Sequence, residues 1–172
     1  MLMEIREISN IYSALPQCGA FLKAVNDESV KHLFLKGMVA SSAPVFFAAA
    51  ASRTENGKKG TQKPLTAVFI LEDNDEAGYF YHDLTQILGT DNVLFFPSSY
   101  RRAVKYGQRD AANEILRTET LSRLSAAHTD RKGKGNPSFL YVVTCPEALS
   151  ELVVSKRNLD ERTISIGVGD IV

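Results

Sequence analysis

The chain has 172 residues, 44% of them apolar, and its 20 Lys and Arg balance 20 Asp and Glu. This length fits one domain, or one domain with an appendage, and the neutral total gives no indication of nucleic-acid or membrane binding, although it can hide a local basic patch. The two Cys lie far apart in sequence, no apolar run is long enough to span a membrane, and the N-terminus has no secretory signal. These features predict a cytoplasmic protein that contacts no membrane.

Strands and helices alternate along the chain, which predicts an α/β fold with a parallel sheet and helices on both faces. Glu4–Asn26 reads as one or two helices broken at Pro16 and Gly19. A short apolar strand is predicted at Leu33–Lys36, and an Ala-rich helix follows from about Val45.

Further apolar runs predict the strands Thr66–Leu71, Asn92–Pro97, Phe139–Thr144 and Thr163–Val168. The first of these is continuously apolar, so we expect it to be buried on both faces of the sheet. The pattern divides the chain into a helical extension over residues 1–29 and an α/β domain over residues 30–172. Since the sequence stops directly after its last strand, we expect a fragment of a much longer protein.

An acidic run, Glu72–Glu76, precedes a helix that Asp73 and Asn74 can cap and that Gly89 ends. Such residues hold Mg²⁺ in helicases, but a helix cap explains them equally. Further on, Pro146 suits the first turn of a short helix. The helix predicted near Asp110–Ala127 has apolar residues on more than one face, which predicts contacts on two sides or an absent partner.

Gly37–Pro44 occupies the place of a phosphate-binding loop between a strand and a helix. An active loop has the form GxxxxGK[ST]. Gly37 fits this form, but Ser42, Ala43 and Pro44 replace the second Gly, the Lys and the Ser or Thr. Ala43 cannot reach a phosphate, and Pro44 offers neither a hydroxyl for Mg²⁺ nor an N–H group. The segment therefore predicts a degenerate P-loop without a catalytic or cofactor-binding role, and the alternative is an ordinary βα turn.

Ser98–Arg109 is a long loop, here called the basic loop, that combines positive charge with aromatic rings. Its basic residues are Arg101, Arg102, Lys105 and Arg109, and its aromatic residues are Tyr100 and Tyr106. This mixture is typical of single-strand binders, and the loop follows the carboxyl end of a strand, where parallel sheets bind ligands. We predict a contact with nucleic acid or an acidic partner there, with a solvated loop as the alternative.

The metal-ligating residue types predict no metal site. His32, His82 and His128 are isolated, and neither Cys18 nor Cys145 has another ligand at zinc spacing. No Ser, Cys or Thr lies in a nucleophile-elbow pattern, so the sequence indicates no catalytic residue.

Several segments, in this order and spacing, resemble the N-terminal UvrB-like region of bacterial transcription-repair coupling factors, the Mfd family. They cover roughly residues 33–172 and read LKGMVASSAPVFFAAAAS, AVFILEDNDEAGYFYHDLTQILG, NVLFFPSSY, and EILRTETLSRL followed by FLYVVTCPEAL. In the first of them Gly37, Ser41 and Ser42 lie where the family has its own degenerate P-loop.

This resemblance implies a RecA-like domain that does not hydrolyse ATP and needs no cofactor of its own. ATP and Mg²⁺ would serve a DNA translocase motor further along the parent chain, which displaces stalled RNA polymerase from DNA. The UvrB-like module helps to recruit a UvrA-type excision-repair protein and packs on other domains of the parent. The resemblance thus implies a non-catalytic scaffold in transcription-coupled DNA repair.

Two other functions stay open from the residues. A divergent P-loop NTPase would use Ser41 or Ser42 for Mg²⁺ and a remote Lys58 or Lys59 for phosphate. A nucleic-acid-binding module would use the basic loop, and its affinity would fall steeply with salt.

Overall fold

The computed structural model of the protein describes residues 4–56, 66–100, 109–130, 140–155, 157–158 and 161, leaving aside the side chains of residues 6, 53–56 and 128–130. Its helices are α1 (Ile5–Ala14), α2 (Pro16–Asn26), α3 (Ser42–Asn56), α4 (Asn74–Leu88), α5 (Ala111–Asp130) and α6 (Pro146–Ser150), and its strands are β1 (Ala67–Ile70), β2 (Val93–Phe96) and β3 (Tyr141–Thr144). Across these ranges, every helix is too short or too polar to cross a membrane.

The strands form one parallel sheet in the order β1-β3-β2. All residues of β3 are buried, because this strand lies between two neighbours and is covered on both faces. The α/β class and the strands predicted at Thr66–Leu71, Asn92–Pro97 and Phe139–Thr144 are therefore confirmed. The strand predicted at Thr163–Val168 lies outside the described residues.

One face of the sheet is covered by α3 and α4 through aromatic contacts. Phe69 of β1 and Phe95 of β2 align with the same residue of β3, so their side chains share this face. The ring centroid of Phe69 lies 5.1 Å from that of Phe47 on α3 and 4.9 Å from that of Phe80 on α4. Tyr81 stacks on Phe95 with centroids 5.2 Å apart.

Among the described residues, α5 covers the opposite face over its β2 side. Arg117 of α5 lies over the ring of Phe96, which belongs to this face. On β1, the side chains of Val68 and Ile70 are on the same face, and these residues are 57% and 58% exposed. The expectation that the strand at Thr66–Leu71 is buried on both faces is therefore wrong, because in the described part of the chain α5 packs on β2 rather than on β1.

The N-terminal helices pack on α3 around a second apolar cluster, made of Cys18, Phe21, Leu22, Phe46 and Ala50. Phe47 joins this cluster to the sheet, since it contacts both Phe21 and Phe69. The predicted break at Pro16 is confirmed, with Pro16 as the first residue of α2. The break expected at Gly19 is wrong, because α2 continues through it.

The strand predicted at Leu33–Lys36 is wrong. These residues belong to none of the described helices or strands, and Phe34 is 87% exposed. The physical reason is that α2 packs directly on α3, so the connection between them runs outside the sheet. The helix that follows begins at Ser42 rather than near Val45.

The ends of α4 and the start of α6 agree with the sequence. The Asp73 carboxylate accepts hydrogen bonds from the N–H groups of Asp75 and Glu76, both at 2.9 Å, and Gly89 ends the helix with a φ of 79°. Pro146 occupies the first turn of α6. The acidic run is therefore explained by helix capping.

Candidate functional site

Polar side chains from three separate segments meet at the carboxyl edge of the sheet, where parallel α/β sheets bind ligands. Ser98 and Ser99 follow β2, Glu151 follows α6, and Arg117 comes from the middle of α5. Both serines and Arg117 are buried. Buried polar groups of this kind are stable only when they are hydrogen-bonded, so their partners decide what the site can do.

Glu151 is the acceptor at the centre of this network. Its carboxylate accepts hydrogen bonds from the Ser98 hydroxyl at 2.7 Å and from the Ser99 N–H at 3.0 Å, as well as from the Ser99 hydroxyl. Burial opposes ionisation, but the bonds from Ser99 and Ser98 and the charge of Arg117 outweigh it and lower the pKa of Glu151. Glu151 is therefore an ionised anchor, which makes it a poor general acid.

Arg117 is the cation of the network and is only 7% exposed. Its Nη1 donates hydrogen bonds to the carbonyl oxygens of Pro97 at 2.8 Å and Ala148 at 3.2 Å, and lies 3.5 Å from the Glu151 carboxylate. The guanidinium also lies 4.1 Å from the centroid of the Phe96 ring, a cation–π contact. Arg117 therefore connects α5 to the segments that follow β2 and β3.

The exposed rim of this network contains the described part of the basic loop. Tyr100 and Arg109 form an isolated antiparallel bridge. Arg109 pairs with Glu114 at 2.9 Å, with side chains 66% and 43% exposed, and the Glu114 carboxylate and then Tyr100 raise the pKa of Arg109. A shallow cavity of about 190 Å³ opens between this rim and the buried network. Among the described residues, the exposed mouth of this cavity carries the guanidinium of Arg109, the carboxylate of Glu114 and the ring of Tyr100.

Of the predicted basic contact residues, only Arg109 is described, and it lies at this rim. Arg101, Arg102 and Lys105 lie outside the described residues, so their contact with nucleic acid or an acidic partner stays a prediction. Sequence reasoning missed Arg117 and Glu151, and no local sequence pattern marks either residue.

The loop Gly37–Pro44, which the sequence predicts to be a degenerate P-loop, forms hydrogen bonds among its own residues and with the start of α3. The Ser42 N–H donates to the Val39 carbonyl at 3.0 Å, the Val39 N–H donates to the Ser42 hydroxyl at 2.6 Å, and the Val45 N–H donates to the Ser41 carbonyl at 3.2 Å. Gly37 has a φ of 83°, a conformation that favours glycine. An active P-loop instead directs such N–H groups toward phosphate. Lys58 and Lys59 lie outside the described residues.

The structure also shows how the residue types that can bind a metal ion are arranged. Among the described residues, no three His, Cys, Asp or Glu side chains are grouped closely enough to hold a metal ion. Cys18 and Cys145 are both buried as free thiols, and they belong to different apolar clusters.

No protein-family model, curated protein or solved structure matches this chain. The resemblance to transcription-repair coupling factors therefore rests on the sequence segments given above.

Proposed function

We propose that this chain is a non-catalytic interaction module, the UvrB-like scaffold of a transcription-repair coupling factor. The observation that carries the proposal is the loop Gly37–Pro44. Its sequence lacks the phosphate-binding Lys and the Mg²⁺-binding hydroxyl, and the N–H groups of Val39 and Ser42 are both bonded within the loop itself. A domain that keeps the helix but not the reactive groups suits a scaffold better than an NTPase.

The carboxyl edge supports the same proposal. Arg117 and Glu151 each bond to several groups of the protein, so the buried network stabilises the loops around it. The exposed chemistry at the rim is that of Arg109, Glu114 and Tyr100, a set suited to binding a polar surface. Such a module would supply part of the surface that recruits a UvrA-type repair protein.

A thermal melt with millimolar Mg·ATP tests the first part of the proposal, that the chain has no nucleotide-binding, catalytic site. A ligand at 100 times its dissociation constant stabilises a protein by about 2.7 kcal/mol, which raises the Tm by several degrees at this size. We expect the same Tm with Mg·ATP as with Mg²⁺ alone. A rise in Tm would instead favour the divergent NTPase.

The matched variant for this test introduces the residues of an active P-loop, through Ser42→Gly, Ala43→Lys and Pro44→Thr. We expect no Mg·ATP shift in this variant either, because no strand precedes the loop and Lys and Thr alone do not rebuild the phosphate cradle. If the variant gained nucleotide binding, the backbone of the loop would still be able to hold phosphate, and only the side chains at residues 42–44 would prevent binding in the native chain.

Titration of the chain with a purified UvrA-type protein tests the interaction half. We expect saturable binding that weakens several-fold in Arg109→Ala, since rim charges steer association. Lys31→Ala is the matched control, because Lys31 is an exposed cation in the α2–α3 connection. Absence of binding, or equal losses in both variants, would contradict the proposed recruiting surface.

A further inference from the structure

Arg117 keeps unused hydrogen-bond donors inside the candidate site. Its Nη1 donates to the carbonyl oxygens of Pro97 and Ala148 and lies 3.5 Å from the Glu151 carboxylate. No described residue accepts a hydrogen bond from its Nε or Nη2. These two nitrogens carry parallel N–H groups on one edge of the guanidinium, the edge that pairs with a carboxylate in a bidentate arrangement. The buried network therefore uses only one nitrogen of its cation.

The unused donors of Arg117 face a cavity rather than the packed core. A donor that is enclosed without an acceptor loses its hydration and gains no bond in exchange, so such groups are rare in proteins. Arg117 is only 7% exposed, yet its Nε and Nη2 both remain accessible to solvent. The same residue lines the cavity of about 190 Å³ at the carboxyl edge of the sheet. The free edge of a buried guanidinium is thus available at this cavity.

We propose that this cavity binds the carboxylate of an acidic side chain from a partner protein, with Arg117 as the buried anchor. Arg109 at the mouth attracts the carboxylate, and Arg117 binds it through Nε and Nη2. The cavity is smaller than the roughly 300–1,000 Å³ of pockets that enclose a whole small molecule, so its volume suits a single side chain. As a docking point it rests on the function proposed above, because an interaction module receives this group from its partner.

The charges around the cavity favour a ligand with a single negative charge. At the mouth, Arg109 pairs with the exposed Glu114. Inside, Arg117 lies beside Glu151, so the charged side chains that line the cavity cancel. The eight residues between Tyr100 and Arg109, which are bridged at this mouth, carry three cations and no acidic residue. A phosphate would bring a second negative charge toward Glu151, whereas a carboxylate brings one and has the planar shape that matches the guanidinium edge.

The anchor is held in position before any ligand arrives. The Cζ atom of Arg117 lies 4.1 Å from the centroid of the Phe96 ring, and the two bonds of Nη1 to carbonyl oxygens fix the guanidinium further. Binding therefore costs little side-chain entropy at Arg117. Leu152 lines the same cavity and is 100% exposed, so the aliphatic stem of an acidic side chain finds an apolar contact at the mouth.

Titration of the full chain with acetate tests the anchor without any partner protein. The readout is the ¹H–¹⁵N NMR signal of the Arg117 Nε–H group, together with the backbone amides of Ser99 and Tyr100 beside the cavity. We expect saturable shifts with a dissociation constant in the millimolar range, because so small a ligand binds only weakly. Acetamide has the shape of acetate without its charge and should shift these signals far less, as should chloride at the same ionic strength.

Three variants locate the binding to this cavity. Arg117→Lys keeps the charge but removes the guanidinium edge, so the Ser99 and Tyr100 amides should no longer respond to acetate, with a thermal melt to verify folding. Arg109→Gln leaves the anchor in place and should weaken binding several-fold, which keeps the test decisive if Arg117→Lys does not fold. Arg123→Gln is the matched control, because this Arg of the same helix lines a different cavity and should leave acetate binding unchanged.

Other outcomes overturn the proposal. Equal shifts with acetamide or chloride would exclude a carboxylate site, and phosphate binding more tightly than acetate would assign the cavity to another anion. Equal losses in Arg109→Gln and Arg123→Gln would place the binding elsewhere. The source of the carboxylate is tested with two peptides: Ala-Glu-Ala blocked at both ends should bind more tightly than Ala-Ala-Ala with a free C-terminus, and the reverse order would overturn the side-chain source.

The failure of this site and the failure of the proposed function are distinguishable. If acetate and the Glu peptide bind but a UvrA-type protein does not, the carboxylate site stands and the recruiting function fails. If the UvrA-type protein binds while acetate and the Glu peptide leave the Arg117 Nε–H signal unchanged, the recruiting function stands and the carboxylate site is wrong.

Discussion

Arg117 is the residue on which the carboxyl edge depends most. Replacing it with Met leaves Glu151 as a partly buried charge without its cation and leaves the carbonyls of Pro97 and Ala148 without the Arg117 donor. We expect Arg117→Met to lower the free energy of unfolding by about 3–5 kcal/mol, measured by urea denaturation. Arg109→Met is the control, because solvent screens that exposed pair and its loss should change the unfolding free energy far less. Similar losses in both variants would contradict the assigned role of Arg117.

Glu151 gives the same network a pH dependence with a definite sign. Its pKa is lower in the folded protein than the ordinary value of 4.5, so the unfolded chain binds the proton more readily. The stability that ionised Glu151 contributes is therefore complete above about pH 4.5 and is lost as the pH falls through the folded pKa. We expect the difference in unfolding free energy between the native protein and Glu151→Gln to shrink as the pH is lowered below 4.5. A constant difference would mean that the carboxylate charge does not matter.

At the scale of elements, α5 is attached to β2 by polar side chains as well as by packing. The buried Thr120 hydroxyl lies within donating distance of the Phe95 carbonyl on β2, at 3.0 Å, and of the Leu116 carbonyl on its own helix, at 2.9 Å, whereas the exposed Thr118 bonds only within its own helix. We expect Thr120→Val to cost about 1–2 kcal/mol of unfolding free energy, because the strand carbonyl loses its donor. Thr118→Val, the same change on the same helix, should cost less than about 0.5 kcal/mol. Equal effects would show that the helix alone, and not its bond to β2, is sensitive to the change.

The elements also show what an apolar run in the sequence can and cannot predict. The apolar runs at residues 66–71, 92–97 and 139–144 predict the strands correctly, because their apolar side chains pack on one or both faces of the sheet. Leu33–Leu35 has the same local pattern but forms no strand. Whether such a run joins a sheet depends on where the fold places it. Here α2 packs on α3, so the connection between these helices runs outside the sheet, and the run itself does not show this.

The candidate site was harder to predict from the sequence than the strands were, because it depends on the fold of the whole molecule. Arg109 was identified because it lies in a visibly basic, aromatic loop. Arg117 and Glu151 are 34 positions apart, and each is unremarkable among its sequence neighbours. Only the parallel sheet, which aligns the carboxyl ends of β2 and β3, brings them within 3.5 Å. Local patterns therefore predict the elements, while pairs between distant elements need the topology.

The described residues form two apolar clusters, and Phe47 is a side chain that contacts residues of both. It contacts Phe21 of the helical cluster and Phe69 of the sheet cluster, at 5.5 and 5.1 Å between centroids. We expect a single unfolding transition in urea, with coincident curves from far-UV circular dichroism and tyrosine fluorescence. Phe47→Ala should lower the free energy of unfolding by about 2–3 kcal/mol, a little below the range for fully buried Phe.

Phe34→Ala is the control for this change, since Phe34 is largely exposed and should alter the unfolding free energy by less than about 0.5 kcal/mol. Two separate transitions in the native protein would mean that the helical extension over residues 1–29 unfolds on its own and that Phe47 does not couple it to the sheet. Coincident curves that separate only in Phe47→Ala would place the coupling at this one side chain. The clusters would then be a single cooperative unit because one aromatic residue of α3 belongs to both.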